Sequence, residues 1–155
     1  MRNMGTLSTL CAVTRREQTS HSVGETETIA AELAETFVGG ECVALHGDLG
    51  AGKTQFTRGI VRGLEGDARL VSSPTFVLLN VYDTGRLKVF HLDAYRVSGA
   101  EDFESIGFSE LLEQGGVVVV EWPQRVEALL PARRVDVKIH TVSPQVRRIE
   151  VERLV

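Results

Sequence analysis

Ile29, Leu33 and Phe37 recur four residues apart within 24–38, the stripe of an amphipathic helix, and Gly39-Gly40 marks its stop. The same spacing returns at Phe56, Ile60 and Leu64 and predicts a second helix over 53–64. Other stretches lack this period. Residues 41–46 (ECVALH) form a short, mostly apolar run suited to a buried strand, and 117–121 (VVVVE) has no polar face, which predicts a strand covered on both sides. Residues 75–83 and 87–93 are joined by Thr84-Gly85-Arg86 and predict a β-hairpin. A second, half-exposed hairpin is predicted for 134–142 and 146–154, where apolar and polar residues alternate on either side of Ser143-Pro144-Gln145. Residues 13–20 suit a short edge strand, and 99–116 suit short helical turns around Gly107 that end at Gly115-Gly116.

Helices mixed with strands, one strand doubly covered and others hairpin-linked, imply a three-layer α/β domain with a mixed β-sheet. At 155 residues, without internal repeat or low-complexity tract, the expectation is one domain over 13–155 preceded by a disordered extension, residues 1–12. An apolar fraction of 43% and a charged fraction of 25% are ordinary for a globular chain. The net charge of −4 argues against nucleic-acid binding by electrostatics alone. The basic pairs Arg15-Arg16, Arg133-Arg134 and Arg147-Arg148 read as solvated strand or loop edges. Two isolated cysteines, Cys11 and Cys42, fit no metal knuckle and favour a reducing, cytoplasmic setting. The first apolar stretch is short and broken by Ser and Thr, unlike a signal peptide, and no run is long enough for a membrane helix.

The loop between 41–46 and 53–64 changes the picture. Gly47, Asp48, Leu49, Gly50, Ala51, Gly52, Lys53 and Thr54 fit G-x-x-x-x-G-K-[ST] at every fixed position, and the predicted strand–loop–helix context is the one this pattern requires. Glycines let successive N–H groups curl inward towards phosphate oxygens, and the following helix adds its open N–H groups and positive dipole end. Lys53 supplies a charge for the β- and γ-phosphates, and Thr54 a hydroxyl for Mg²⁺.

A phosphate loop also needs a carboxylate to hold the metal and a group to position the attacking water. Asp93 ends LKVFHLD and Glu121 ends VVVVE, each where a strand leaves its apolar cover. Which acid takes which task stays open. Thr75 in SSPTF offers a switch-type hydroxyl or ordinary turn chemistry. His91 shares a strand face with Asp93 and is as well explained by packing as by catalysis. Arg96 offers a phosphate contact, with a surface ion pair the cheaper explanation, and Trp122 reads as a packing or docking residue.

Guanine recognition through N-K-x-D is excluded, because the two asparagines, Asn3 and Asn80, start no such motif. No D-x-x-G occurs either, so ATP is favoured. A small-molecule P-loop kinase is the main alternative, but it needs an Arg-bearing lid, and 97–116, the one insertion of sufficient length, has no Arg or Lys.

GDLGAGKT, SPTF, HLDAYR and EW after a valine-rich strand, in this order, make the chain similar to the TsaE (YjeE) family over about 19–142. The resemblance implies a small bacterial P-loop ATPase needed for N6-threonylcarbamoyladenosine modification of tRNA. It implies that Asp48 to Thr54 hold phosphate, that Thr54 ligates Mg²⁺, and that Thr75 faces the nucleotide. His91, Asp93, Tyr95 and Arg96 fall on the family's His-x-Asp-x-Tyr-Arg motif, and Glu121, beside Trp122, on its metal-associated acid. It further implies the partners TsaB and TsaD, with TsaD performing the transfer and tRNA met only through them.

Overall fold

A computed structural model describes residues 13–155. The segment 1–12, expected as an extension, lies outside the described residues, and Cys11 with it. Seven strands form one mixed sheet: β1 (Thr14–Ser20), β2 (Cys42–His46), β3 (Leu79–Tyr82), β4 (Val89–Asp93), β5 (Val117–Glu121), β6 (Arg134–Thr141) and β7 (Arg147–Leu154). Their spatial order is β1-β7-β6-β2-β5-β4-β3. The central β6, β2, β5 and β4 run parallel, while β3, β7 and β1 join antiparallel. The helices are α1 (Val23–Glu35), α2 (Lys53–Gly63), α3 (Ala100–Ser105) and α4 (Phe108–Glu113).

Alternation in the central strands sends successive side chains to opposite faces. Val43, Leu45, Val117 and Val119 meet Phe56, Ile60 and Leu64 of the α2 side. Val118, Val120 and Leu92 meet Phe103 and Phe108 of α3 and α4, whose rings pack 4.9 Å apart. The sheet therefore lies between two helical layers, and β5 is covered on both sides as its composition requires. β6 keeps a dry face of Val135, Val137 and Ile139, with Asp136, Lys138 and His140 on its wetter one.

Two expectations change. Of the stripe Ile29, Leu33 and Phe37, Phe37 is fully buried and Ile29 and Leu33 pack half-buried against the core, but the buried residues within α1 itself are Thr26, Ala30, Ala31 and Ala34. The reason is close helix packing: a Cβ at Gly59 of α2 would lie 2.2 Å from the Glu27 carbonyl. Small residues on both helices let the backbones touch, so α2, the helix that carries the phosphate loop, is pinned against α1. The second change is the strand expected over 75–83, which begins only at Leu79. The Pro74 carbonyl accepts from both Val77 N–H and Leu78 N–H, and Leu78 takes a left-handed conformation with φ 68°. Residues 72–78 therefore turn back over the strand ends instead of extending.

Candidate functional site

The phosphate loop leaves the buried strand β2 and enters α2. Gly50 and Gly52 adopt φ 79° and 114°, values a side chain would strain. No side chain caps α2 at Gly52, so its first-turn amides stay open to an anion. Asp48 and Leu49 stand exposed at the crest, and Thr54 is half-buried in the first turn. Arg147, read from sequence as a solvated strand edge, instead reaches across from β7. It donates to the Ala51 carbonyl at 2.9 Å and the Gly50 carbonyl at 3.3 Å.

Lys53 is 7% exposed, donates to the Gly47 carbonyl at 2.6 Å, and places Nζ 3.7 Å from the Trp122 ring centroid. Burial pushes its pKa below the usual lysine range, and Glu121, Asp93 and Asp48 oppose that shift, Glu121 most strongly. Those acids are thus close enough for the ammonium to feel them. Parallel pairing explains why: Asp93 and Glu121 are register partners at the ends of adjacent strands, and Glu121 also pairs with Leu45 just before the phosphate loop.

Each acid is held. Asp93 accepts from Thr75 Oγ1 at 2.8 Å and from Tyr95 N–H at 2.8 Å. Oε1 of Glu121 meets Nε2 of His91 at 2.9 Å, and Nδ1 of His91 meets the Tyr82 hydroxyl at 3.2 Å. The structure thus brings Thr75, Asp93, Glu121 and Lys53 to one strand-end cluster beside the phosphate loop. Arg96 stays outside it, over the exposed Phe76 ring at 4.3 Å and not in an ion pair among the described residues. Trp122, half-buried and left-handed at φ 56°, stacks 5.0 Å from Tyr95.

The donor set suits Mg²⁺. Among the described residues no three His, Cys, Asp or Glu side chains group as a self-sufficient metal cage. A hydroxyl at Thr54 and carboxylates at Asp93 and Glu121 are hard oxygen donors, few enough that the ion would complete its shell with phosphate and water, as Mg²⁺ does.

A cavity of about 370 Å³ opens on the other side of the loop, beside Gly50 to Gly52 and Gln55. His21, Val23 and Thr26 at the head of α1 wall it, facing Pro144, Gln145 and Arg147 of the β6–β7 turn. Sequence reasoning missed Arg147, Tyr82 and this cavity. Their only linear trace is an Arg pair and a Tyr in a strand, common features with no fixed spacing from the loop.

The family model for the threonylcarbamoyl adenosine biosynthesis protein TsaE matches residues 20–149. Among curated relatives, the tRNA threonylcarbamoyladenosine biosynthesis protein TsaE of Bacillus subtilis is 39% identical over 125 residues, 81% of this chain and 77% of the relative. That of Treponema pallidum is 43% identical over 112 residues, 72% and 82% of the two chains. The crystal structure of YdiB from Bacillus subtilis superposes with a TM-score of 0.76 at 30% identity, covering 92% of this chain and 88% of that one. Its match and the loop geometry agree on a P-loop NTPase-like α/β fold. The chain belongs to the TsaE family of threonylcarbamoyl adenosine biosynthesis proteins.

Proposed function

We propose that this chain binds ATP with Mg²⁺ and hydrolyses it, and that the turnover acts on a partner complex of TsaB and TsaD that modifies tRNA. The observation that carries the reading is the cluster of Lys53 with Glu121 and Asp93 at the mouth of the phosphate loop. Residues 47–54 hold the phosphates through backbone N–H groups and Lys53. The nucleoside lies in the cavity beside Gln55, on the β6–β7 side of the loop, which leaves the terminal phosphate on the β4–β5 side, where the acids are. Thr54 and one of the two acids, Asp93 or Glu121, would hold Mg²⁺, which offsets phosphate charge when bound. The acid not committed to the ion orients the attacking water, and Thr75 fixes Asp93 from the loop side.

The pairing of β1 with β7 supports reading 13–155 as one domain. The chain contributes turnover rather than tRNA contact: its net charge is −4, and Arg15, Arg134 and Arg147 spend their guanidinium groups on internal partners. Among the described residues no helix is long and apolar enough to cross a membrane, and a cytoplasmic setting follows from the tRNA substrate of the system. Leu49, Phe76 and Val77 are 76%, 80% and 61% exposed on the two loops that carry the site, a costly display that a protein partner would cover.

Against a small-molecule kinase stands the fate of 97–116. These residues fold into α3 and α4 with Phe103 and Phe108 fully buried in the second core, so they form a wall and not a lid. The test is ATP hydrolysis with and without the partner pair, in wild type and Lys53→Ala. Partner-stimulated turnover that Lys53→Ala abolishes supports the reading, and equal rates in all four samples would sink it.

A further inference from the structure

The hydrogen-bond chain that begins at Glu121 does not stop at His91. The Tyr82 hydroxyl, which meets Nδ1 of His91, also accepts from Ser72 N–H at 3.2 Å and donates to the Ser72 carbonyl at 3.0 Å. His91 is fully buried, and Tyr82 and Glu121 are 6% and 3% exposed. Three residues beyond Ser72, Thr75 donates to Asp93. The short segment 72–75 is therefore fastened to both acids, by one hydroxyl at its far end and by a three-residue relay at its near end.

Packing alone does not explain the relay. Phe would fill the Tyr82 volume, and Leu or Met the His91 volume, without burying polar atoms that cost free energy unless paired. The hydrogen bonds also compete. A neutral His91 that donates Nε2–H to the Glu121 carboxylate presents Nδ1 as an acceptor. Tyr82 has one hydroxyl proton and two acceptors for it, that nitrogen and the Ser72 carbonyl. How firmly His91 is engaged by Glu121 thus sets how firmly Tyr82 holds Ser72.

We propose that Tyr82 and His91 are positioning residues for Glu121, and that they tie its placement to segment 72–75, which carries Asp93 through Thr75. The two acids then move as a unit when phosphate and metal draw on either one. The inference extends the ATPase reading and rests on it for its kinetic consequence, but the coupling itself exists in the nucleotide-free protein.

Amide hydrogen exchange, read by mass spectrometry on the full chain without nucleotide, tests that coupling in Tyr82→Phe and His91→Gln. Loss of a buried hydrogen bond predicts about tenfold faster exchange in peptides covering 72–78, with the rest of the sheet unchanged. With ATP and Mg²⁺, Tyr82→Phe lowers kcat by about tenfold while KM and ATP affinity stay close to wild type, because the phosphate loop is untouched. Wild-type exchange over 72–78 in both variants overturns the proposal. So does faster exchange spread over all peptides with a lowered Tm, which marks a merely structural role. A wild type that never hydrolyses ATP counts against the ATPase reading, and the exchange result then still decides the coupling.

Discussion

The Lys53 ammonium lies 3.7 Å from the Trp122 ring centroid while it donates to the Gly47 carbonyl. The cation is held by a ring face and a carbonyl of its own loop, both weaker partners than a phosphate. Trp122 is the one tryptophan in the chain, so its emission reports on the lysine. Adding ATP and Mg²⁺ is expected to shift Trp122 fluorescence saturably, as Nζ leaves the ring for phosphate. Lys53→Ala should abolish the saturable change, and a response that persists in that variant would disprove the link.

Neutral isosteres separate the two acids. Glu121→Gln and Asp93→Asn should each lower turnover at least about tenfold, since each removes a charged group from the cluster. ATP affinity measured with and without Mg²⁺ assigns the tasks. The variant that loses the Mg²⁺ dependence of binding held the metal, and the one that keeps it positioned the water.

Arg147 is expected to act on the phosphate loop from 94 positions beyond Lys53, the difference between the two residue numbers. Arg147→Ala removes the donors to the Gly50 and Ala51 carbonyls. ATP binding by calorimetry should weaken about tenfold, the order expected for charge-assisted hydrogen bonds. Arg147→Lys should restore little, because a point charge cannot fork between two carbonyls.

Gly59→Ala tests the seat of α2. Its Cβ would lie 2.2 Å from the Glu27 carbonyl and 2.6 Å from the Ala30 Cβ. Overpacking against backbone costs about 1–3 kcal/mol, against roughly 1 kcal/mol gained in helix propensity. The contact is with rigid backbone, so the loss should win and Tm should fall by several degrees in thermal unfolding.

Burial pushes the Cys42 thiol up to about 12 from an ordinary value of 9.0. Above pH 9 the unfolded chain releases this proton while the folded chain keeps it. Stability therefore falls with rising pH, by up to about 1.4 kcal/mol per pH unit from this group until the folded thiol itself ionises. Denaturant unfolding between pH 8 and 11 should show a shallower decline in Cys42→Ala than in wild type. At pH 8 the Cys42 peptide should resist alkylation until the protein unfolds.

Much of this was legible in the linear chain. A valine run with no polar face has to be a strand covered twice, and β5 is. Glycines at fixed spacing before Lys-Thr describe a backbone curl that depends on neighbours in sequence, so the phosphate loop needs little from the rest of the molecule. Asp93 and Glu121 could be found because each ends an apolar run, and parallel pairing then sets them side by side. The 75–83 run misled because its apolar residues look like strand, whereas Pro74 collects two amides and Leu78 turns left-handed. The α1 stripe, with Phe37 in the core and Ile29 and Leu33 against it, showed only part of that layer's contact, because the closest packing is made by glycine and alanine, which carry almost no hydrophobic signal.

The phosphate loop, the family and the two strand-end acids are written in the linear chain, because each depends on short-range backbone geometry or on a strand's own polarity. What surrounds them comes from the folded molecule: Arg147 on the loop carbonyls, Trp122 over Lys53, and the relay from Glu121 through His91 and Tyr82 to Ser72. Those contacts join residues 9 to 97 positions apart. Strand order and register bring them together, and no local pattern in the chain encodes such distances.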